Sequence, residues 1–245
     1  MNVRAVIGVL LALCCVKPLK AEDVAFTGFV GLLGGLSSLD AKGKTRATNE
    51  VLIPAPPVAW HDMKVQHGHT SLEGGVELGI GAVFLDKMPI HLVGEVFWGE
   101  MRSAASYYAS MYPAERDTDG HQLVKSNGAR YGCVVNIGYT FDNLMPYVRL
   151  GARFKRFYIE GLSVTRGYGQ STVHKKSNYV GLSSGLGLMW KITSLVSLGI
   201  EGIADFYQSK TFTYAESQGG VTHRSSIKMA PRDFQTFVHL RFTWP

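Results

Sequence analysis

Beyond residue 21 the sequence contains no apolar run of 18 residues, which excludes a membrane-spanning helix. It also lacks any sustained 3.6-residue period, which argues against helical layers. Cysteine is scarce. Of Cys14, Cys15 and Cys133, the first two fall within the opening 21 residues, so the remaining chain can form no internal disulfide. A chain of this length without disulfides must draw its stability from a large core or from a sheet closed on itself. A strong excess of positive charge is missing too. The formal balance is +6, from 25 basic and 19 acidic residues, and without Arg4, Lys17 and Lys20 of the opening segment it is +3. That balance does not point to nucleic acid as a partner.

What is present begins with Met1–Ala21. Arg4 precedes the apolar run "AVIGVLLALCCV", and "KPLKA" follows before Glu22. This is the layout of a secretory signal peptide with Ala21 at the cleavage position. The apolar run of 12 residues is too short for a span, and Leu13 before Cys14 does not suit lipidation. The expected organisation is a signal peptide over 1–21 and one domain over 22–245.

Alternation with a period of two dominates the rest, interspersed with many of the 28 glycines. In "LEGGVELGIGAVF" one face carries Leu72, Val76, Leu78, Ile80 and Phe84, and the other carries Glu73 and Glu77. "IHLVGEVFWGE" sets Ile90, Leu92, Val96 and Trp98 against His91, Glu95 and Phe97. "ARYGCVVNIGYTF" sets Tyr131, Cys133, Val135, Ile137, Tyr139 and Phe141 against Arg130, Asn136 and Thr140. "PYVRLGARFKRFY" sets Val148, Leu150, Ala152 and Phe154 against Arg149, Arg153 and Lys155. "YVGLSSGLGLMW", "VSLGIEGIADFY" and the closing "DFQTFVHLRFTWP" follow the same rule. "AFTGFVGLLGGL" completes a set of eight, with Phe26, Val30 and Leu32 taken as outward.

The connections alternate in length. Residues 85–89, 142–145 and 191–195 are short, whereas 37–69, 101–127, 159–177 and 208–231 are long. An even number of strands with short turns at one end and long connections at the other is an outer-membrane pattern. The predicted fold is therefore all-β: an eight-stranded antiparallel up-and-down transmembrane β-barrel with four long extracellular loops and short periplasmic turns. Four strands running toward the short turns end in the outward aromatics Phe84, Phe141, Trp190 and Trp244, a periplasmic interfacial girdle. Trp98, Phe154, Tyr158 and Phe206 fall near the opposite rim. The apolar face of the closing strand then meets lipid rather than a core.

The signal peptide, the eight alternating strands and the aromatic terminal strand resemble the small outer-membrane barrels typified by the OmpA transmembrane domain, OmpX and the opacity proteins. The resemblance covers the whole chain after the signal peptide and is specific for architecture. It implies the outer membrane as location, and no particular activity.

An eight-stranded barrel is just wide enough for its own side chains to fill. The inward faces carry Glu77, Glu95, Arg149, Arg153, Glu201 and Arg241, with Glu73, Lys155 and Asp205 beside them. These charges are expected to pair into a plug rather than line a conducting path, with Arg153 shared between Glu77 and Glu95. Some barrels of this kind are lipid-modifying enzymes. An acyl-transferring one needs an apolar interior, and a deacylating one needs histidine, serine and carboxylate on the lipid face. In "HKKSN" the spacing of His174, Ser177 and Asn178 is one residue longer than such a deacylase pattern, and the outward faces hold no histidine or carboxylate. No catalytic residue and no cofactor is expected. His67 and His69 could bind a metal as a strand pair, but no third ligand is indicated, so no metal is expected either.

The long connections carry 13 basic and 8 acidic residues, which suits attraction to lipopolysaccharide phosphates and to anionic surfaces. Two stretches are odd for solvent: the uncharged "VLIPAPPVAW", ending at Trp60, and "SYYASMY", with Tyr107, Tyr108 and Tyr112. They could fold over the barrel mouth, extend the sheet outward, or serve as contact anchors with Lys42, Lys44 and Arg46 steering anionic partners. The functional expectation is a surface antigen or adhesin. A narrow channel is the alternative, and a lipid-modifying enzyme stands third. The partners expected are membrane lipid and lipopolysaccharide, with a host-surface protein or glycan as the further class.

Overall fold

A computed structural model describes residues 24–50, 61–62, 64–68, 70–111, 116–126, 128–165, 169–218 and 221–244. The segment read as a signal peptide, 1–21, lies outside the described residues. Among the described residues no helix is long and apolar enough to cross a membrane. The described elements are strands: β1 (Val24–Glu50), β2 (His61–Asp62), β3 (Lys64–Gly68), β4 (Thr70–Phe84), β5 (Met88–Gly99), β6 (Met101–Met111) and β7 (Arg116–Ser126). They continue with β8 (Arg130–Gly138), β9 (Leu144–Thr165), β10 (Gly169–Lys191), β11 (Val196–Tyr207), β12 (Lys210–Gln218) and β13 (Val221–Trp244).

Eight of these close a ring, in the order β1, β4, β5, β8, β9, β10, β11, β13, with β13 returning to β1. Every pairing in it is antiparallel. The hydrogen-bonded rows from Val30 lead through Leu78, Gly94, Cys133, Ala152, Leu182, Phe206 and Arg232. They return to β1 at Asp40, ten residues above the start. That stagger tilts the strands by roughly 40° to the barrel axis and leaves a lumen filled by side chains.

The outer face of the ring is apolar and uncovered. Leu78 is 58% exposed, Ile80 63%, Leu150 57% and Leu186 68%, while Glu77, Glu95, Arg149 and Arg153 are buried within. Phe26, Val30 and Leu32 of β1 are outward. A water-soluble barrel would have these faces exchanged. Closure leaves no unpaired sheet edge, which is what hydrocarbon demands of a strand-built span, so this is a transmembrane barrel of the outer-membrane type. The periplasmic turns are tight. Leu85 and Asp86 both have positive φ (52° and 56°), and the Lys87 amide donates to the Phe84 carbonyl at 3.1 Å, the mirror-image turn that suits hairpin twist. Asp142, at φ 51°, makes a similar reversal between Phe141 and Leu144, whose amides and carbonyls bond reciprocally at 2.7 and 2.8 Å.

The four long loops predicted on the other side are not what the structure holds there. Much of 37–50, 101–126, 159–177 and 210–231 is strand, built as upward continuations of β1, β9, β10 and β13 together with β6, β7 and β12. The physical reason is an inversion of parity at the rim. On β9 the apolar residues Val148, Leu150 and Phe154 point out, and above them Phe157 and Ile159 point in. On β1 outward Leu32 and Leu36 give way to inward Leu39 and Ala41, and on β13 outward Phe234 lies below inward Ile227 and Met229. Below the rim hydrocarbon is outside; above it water is, so the same strands reverse which face they bury. Read as a period of two, each reversal looks like the end of a strand.

Depth should govern the cost of charge on the lipid face. Leu78→Arg, near the middle of the belt, is expected to destabilise the folded barrel by ~2–4 kcal/mol, and Phe141→Arg at the periplasmic rim by ~0–1 kcal/mol. Urea titration in lipid vesicles measures both; equal costs would contradict the assigned belt.

Candidate functional site

Six carboxylates lie inside the barrel wall: Glu73, Glu77, Glu95, Glu201, Asp205 and Asp233, all buried. Arg130, Arg149, Arg153, Lys155 and Arg241 are buried with them. In the lower tier Arg241 Nε donates to Glu77 Oε1 at 2.9 Å, and Arg149 donates to Glu201 Oε1 at 2.7 Å and Glu95 Oε2 at 2.5 Å. His239 stands between Glu77 Oε1 at 3.3 Å and Glu201 Oε2 at 2.8 Å. In the upper tier Arg130 donates to Glu73 Oε2 at 2.7 Å and Asp233 Oδ2 at 2.5 Å. Arg153 donates to Glu95 Oε1 at 2.6 Å, Asp205 Oδ2 at 2.9 Å and Gln235 Oε1 at 2.6 Å. Lys155 lies 3.8 and 3.9 Å from Glu73 and Asp233, with its ammonium against the Met101 sulfur. Glu95, held by both Arg149 and Arg153, joins the two tiers.

The expected sharing of Arg153 between Glu77 and Glu95 is not observed. The two carboxylates face each other in register on β4 and β5, and like charges so placed repel. They turn apart: Glu95 toward β9, where Arg149 and Arg153 stand, and Glu77 toward β13, where Arg241 and His239 stand. Glycines make the room. A Cβ on Gly31 would come within 2.5 Å of Glu77, and one on Gly132 within 2.2 Å of Glu95, each glycine being the register partner of that glutamate.

Apolar layers separate and cover the charges. Leu33, Phe97, Ile203 and Phe237 cluster within the lumen, and the guanidinium carbons of Arg130 and Arg153 each lie 4.6 Å from the Phe97 ring centre. Nearer the extracellular end, Leu39, Met101, Val124, Phe157, Tyr179, Tyr207, Ile227 and Met229 form a second, larger cluster. This cap belongs to the upward extensions, and β6, which carries most of "SYYASMY", is part of the outward extension of the sheet that is one of the readings of that stretch. The lumen is thus packed, with no continuous polar file evident among the described residues.

The girdle residues sit at the periplasmic rim. Phe141, Trp190 and Trp244 are exposed and Phe84 partly so. Trp244 lies over Gly28, where a Cβ would meet the indole at 2.7 Å. Of the candidate contact residues, Trp60 and Tyr112 lie outside the described residues. Tyr107 and Tyr108 fall on β6 opposite Gly120 and Asp119, and Lys42 and Arg46 fall on β1, with their side chains outside the description. Lys44 is exposed, opposite Asp62 on β2 and Lys228 on β13. The structure does not bring the described candidates together into one site. Arg130, Asp233, Gln235 and His239 are the network members not singled out from the sequence; alternation places each on a polar face, and the register that joins them spans the whole ring.

No family model matches the sequence, and no curated protein matches it. Among solved structures, it is similar to the outer membrane protein OprG from Pseudomonas aeruginosa at 10% identity and a TM-score of 0.45, covering 89% of this chain and 96% of that one. It is similar to Ail, the attachment invasion locus protein of Yersinia pestis, in complex with the heparin analogue sucrose octasulfate, at 10% identity and a TM-score of 0.31, covering 85% and 98%. Neisserial surface protein A gives 12% identity and a TM-score of 0.29, covering 86% and 97%. At such values the likeness extends to no particular residue or ligand.

Breaking one partner of the network should cost more than removing a pair. Arg241→Met leaves Glu77 with His239 alone and is expected to destabilise by ~3–5 kcal/mol, with the double variant Glu77→Gln/Arg241→Met clearly milder. Unfolding midpoints in lipid vesicles report the difference; a double variant as costly as the sum of the singles would argue that the pair is not coupled.

Proposed function

We propose that this protein is an outer-membrane platform that holds a rigid sheet above the bilayer for attachment to another surface, a host-surface protein or glycan. The observation that carries the reading is strand length. β1, β9, β10 and β13 run for 27, 22, 23 and 24 residues, where a tilted span needs about 9–11. The excess stands in water, ordered by backbone pairing and by its own apolar cap. A structure whose work were confined to the bilayer has no need of it. Exposed Lys44, Lys175, Lys176 and Lys228 give the extension basic character suited to anionic partners.

The packed, ion-paired lumen supports a closed barrel over a conducting one. The reading is also of a non-enzymatic protein.

Cells displaying the barrel are expected to attach to host-type surfaces, and cutting the β6–β7 hairpin back to a turn between Arg102 and Lys125 should reduce attachment. On the intact fold, Lys44→Glu/Lys228→Glu should weaken attachment most at low ionic strength. Equal adhesion by all three proteins would end the proposal. A steady wild-type conductance in planar bilayers would move the function to transport.

A further inference from the structure

Among the described residues, the wall on the β8 side of β9 is interrupted just above the outward aromatics. β8 pairs with β9 only as far as Phe154, and β7 pairs with it only from Tyr158 onward. Residues 155–157 of β9 therefore lack a strand partner on that side, and the Ser126 hydroxyl covers the gap by donating to the Arg156 carbonyl at 2.9 Å. The interruption opens a cleft of about 390 Å³, lined by Gly128, Ala129, Tyr131, Phe154, Arg156 and Tyr158 among others.

The level of the cleft is fixed by its walls. Tyr131 and Phe154 face each other in register and are 55% and 48% exposed, with Val180 and Leu182 also outward on β10. Those side chains belong to the top of the apolar belt. Directly above, Arg156 pairs in register with Asn178 and Tyr158 with Lys176, so two cations stand on successive rows of the outward face. Arg156 Nε donates to Asn178 Oδ1 at 2.8 Å, and the Lys176 ammonium lies 5.3 Å from the Tyr158 ring centre.

Among the described residues no carboxylate lies within ion-pair distance of either cation. The acids nearest this rim are engaged elsewhere: Glu160 with Lys125 at 3.0 Å, Glu100 with Arg102 at 2.5 Å. Two exposed cations without an acid, hydroxyl and amide groups beside them, and apolar wall immediately beneath form a surface matched to an amphiphile with an anionic head. A phosphate fits the pair well, since a guanidinium and an ammonium both donate to its oxygens.

We propose that this cleft binds the phosphate of a phosphorylated glycolipid of the outer leaflet, of the lipid A type, with acyl chains lying against Phe154, Val180 and Leu182. The site is independent of any partner bound by the extension above.

The test uses the full barrel in vesicles of neutral lipid, titrated with lipid A, dephosphorylated lipid A, phosphatidylglycerol or inorganic phosphate. Wild type is expected to bind lipid A in preference to the other three. Arg156→Ala/Lys176→Ala should bind it about ten-fold more weakly or worse. Lys87→Ala/Lys191→Ala, at the opposite rim, should bind as wild type does, and the heat-dependent gel shift of the folded barrel verifies all variants. Undiminished lipid A binding by the Arg156/Lys176 variant would overturn the proposal. So would equal binding of dephosphorylated lipid A or phosphatidylglycerol, or displacement of lipid A by millimolar inorganic phosphate.

Discussion

Ion pairing away from bulk water orders the interior of this barrel. Eight strands at the observed stagger enclose too little space for both bulky side chains and a water column, so each buried charge must find its counterion among its neighbours. Six carboxylates and five arginine or lysine side chains, with His239 lodged between Glu77 and Glu201, satisfy that demand as one network joined at Glu95. The placement of glycine follows from it, because Gly31 and Gly132 sit where a larger residue would displace a glutamate. The separation of the tiers by Phe97 and Phe237 follows as well, since rings against guanidinium faces fill volume without adding charge.

The spanning part of the fold was legible because hydrocarbon imposes one rule on every strand. "DFQTFVHLRFTWP" already states it, with Phe234, Val238 and Phe242 outward and Gln235, His239 and Arg241 inward. What lay above the rim was hidden by the same rule. Phe157 and Ile159 continue β9 in the opposite parity, and a reading that follows one parity stops at Phe154. Individual partners in the lumen were less legible. Arg130 and Asp233 are 103 residues apart and meet only because the stagger brings β8 and β13 to one height, a quantity that alternation does not contain.

The two solvents also divide the chemistry of the wall. Inside the bilayer the outer surface is aliphatic and bounded by aromatic rings; above it, the outer surface is basic and hydrogen-bonding while the apolar residues withdraw into the cap. The structure is thus two bodies on one set of strands, a membrane barrel with a polar interior and a water-exposed one with a hydrophobic interior. Neither needs a disulfide, and Cys133 faces outward among the lipid-facing residues.

The seam between β1 and β13 has a kinetic meaning. Its rows run from Gly28 opposite Trp244 to Glu50 opposite Thr222, far longer than the row from Ile90 to Phe97 that joins β5 to β8. It is also the pairing that unites the two ends of the described chain, so its contacts are the most distant in sequence and carry the largest loop-closure entropy. Neighbouring hairpins can form locally; this seam can form only when the others stand in place. To open the ring at this seam is to break its longest ladder, so the two ends of the described chain act as a clasp on the closed barrel.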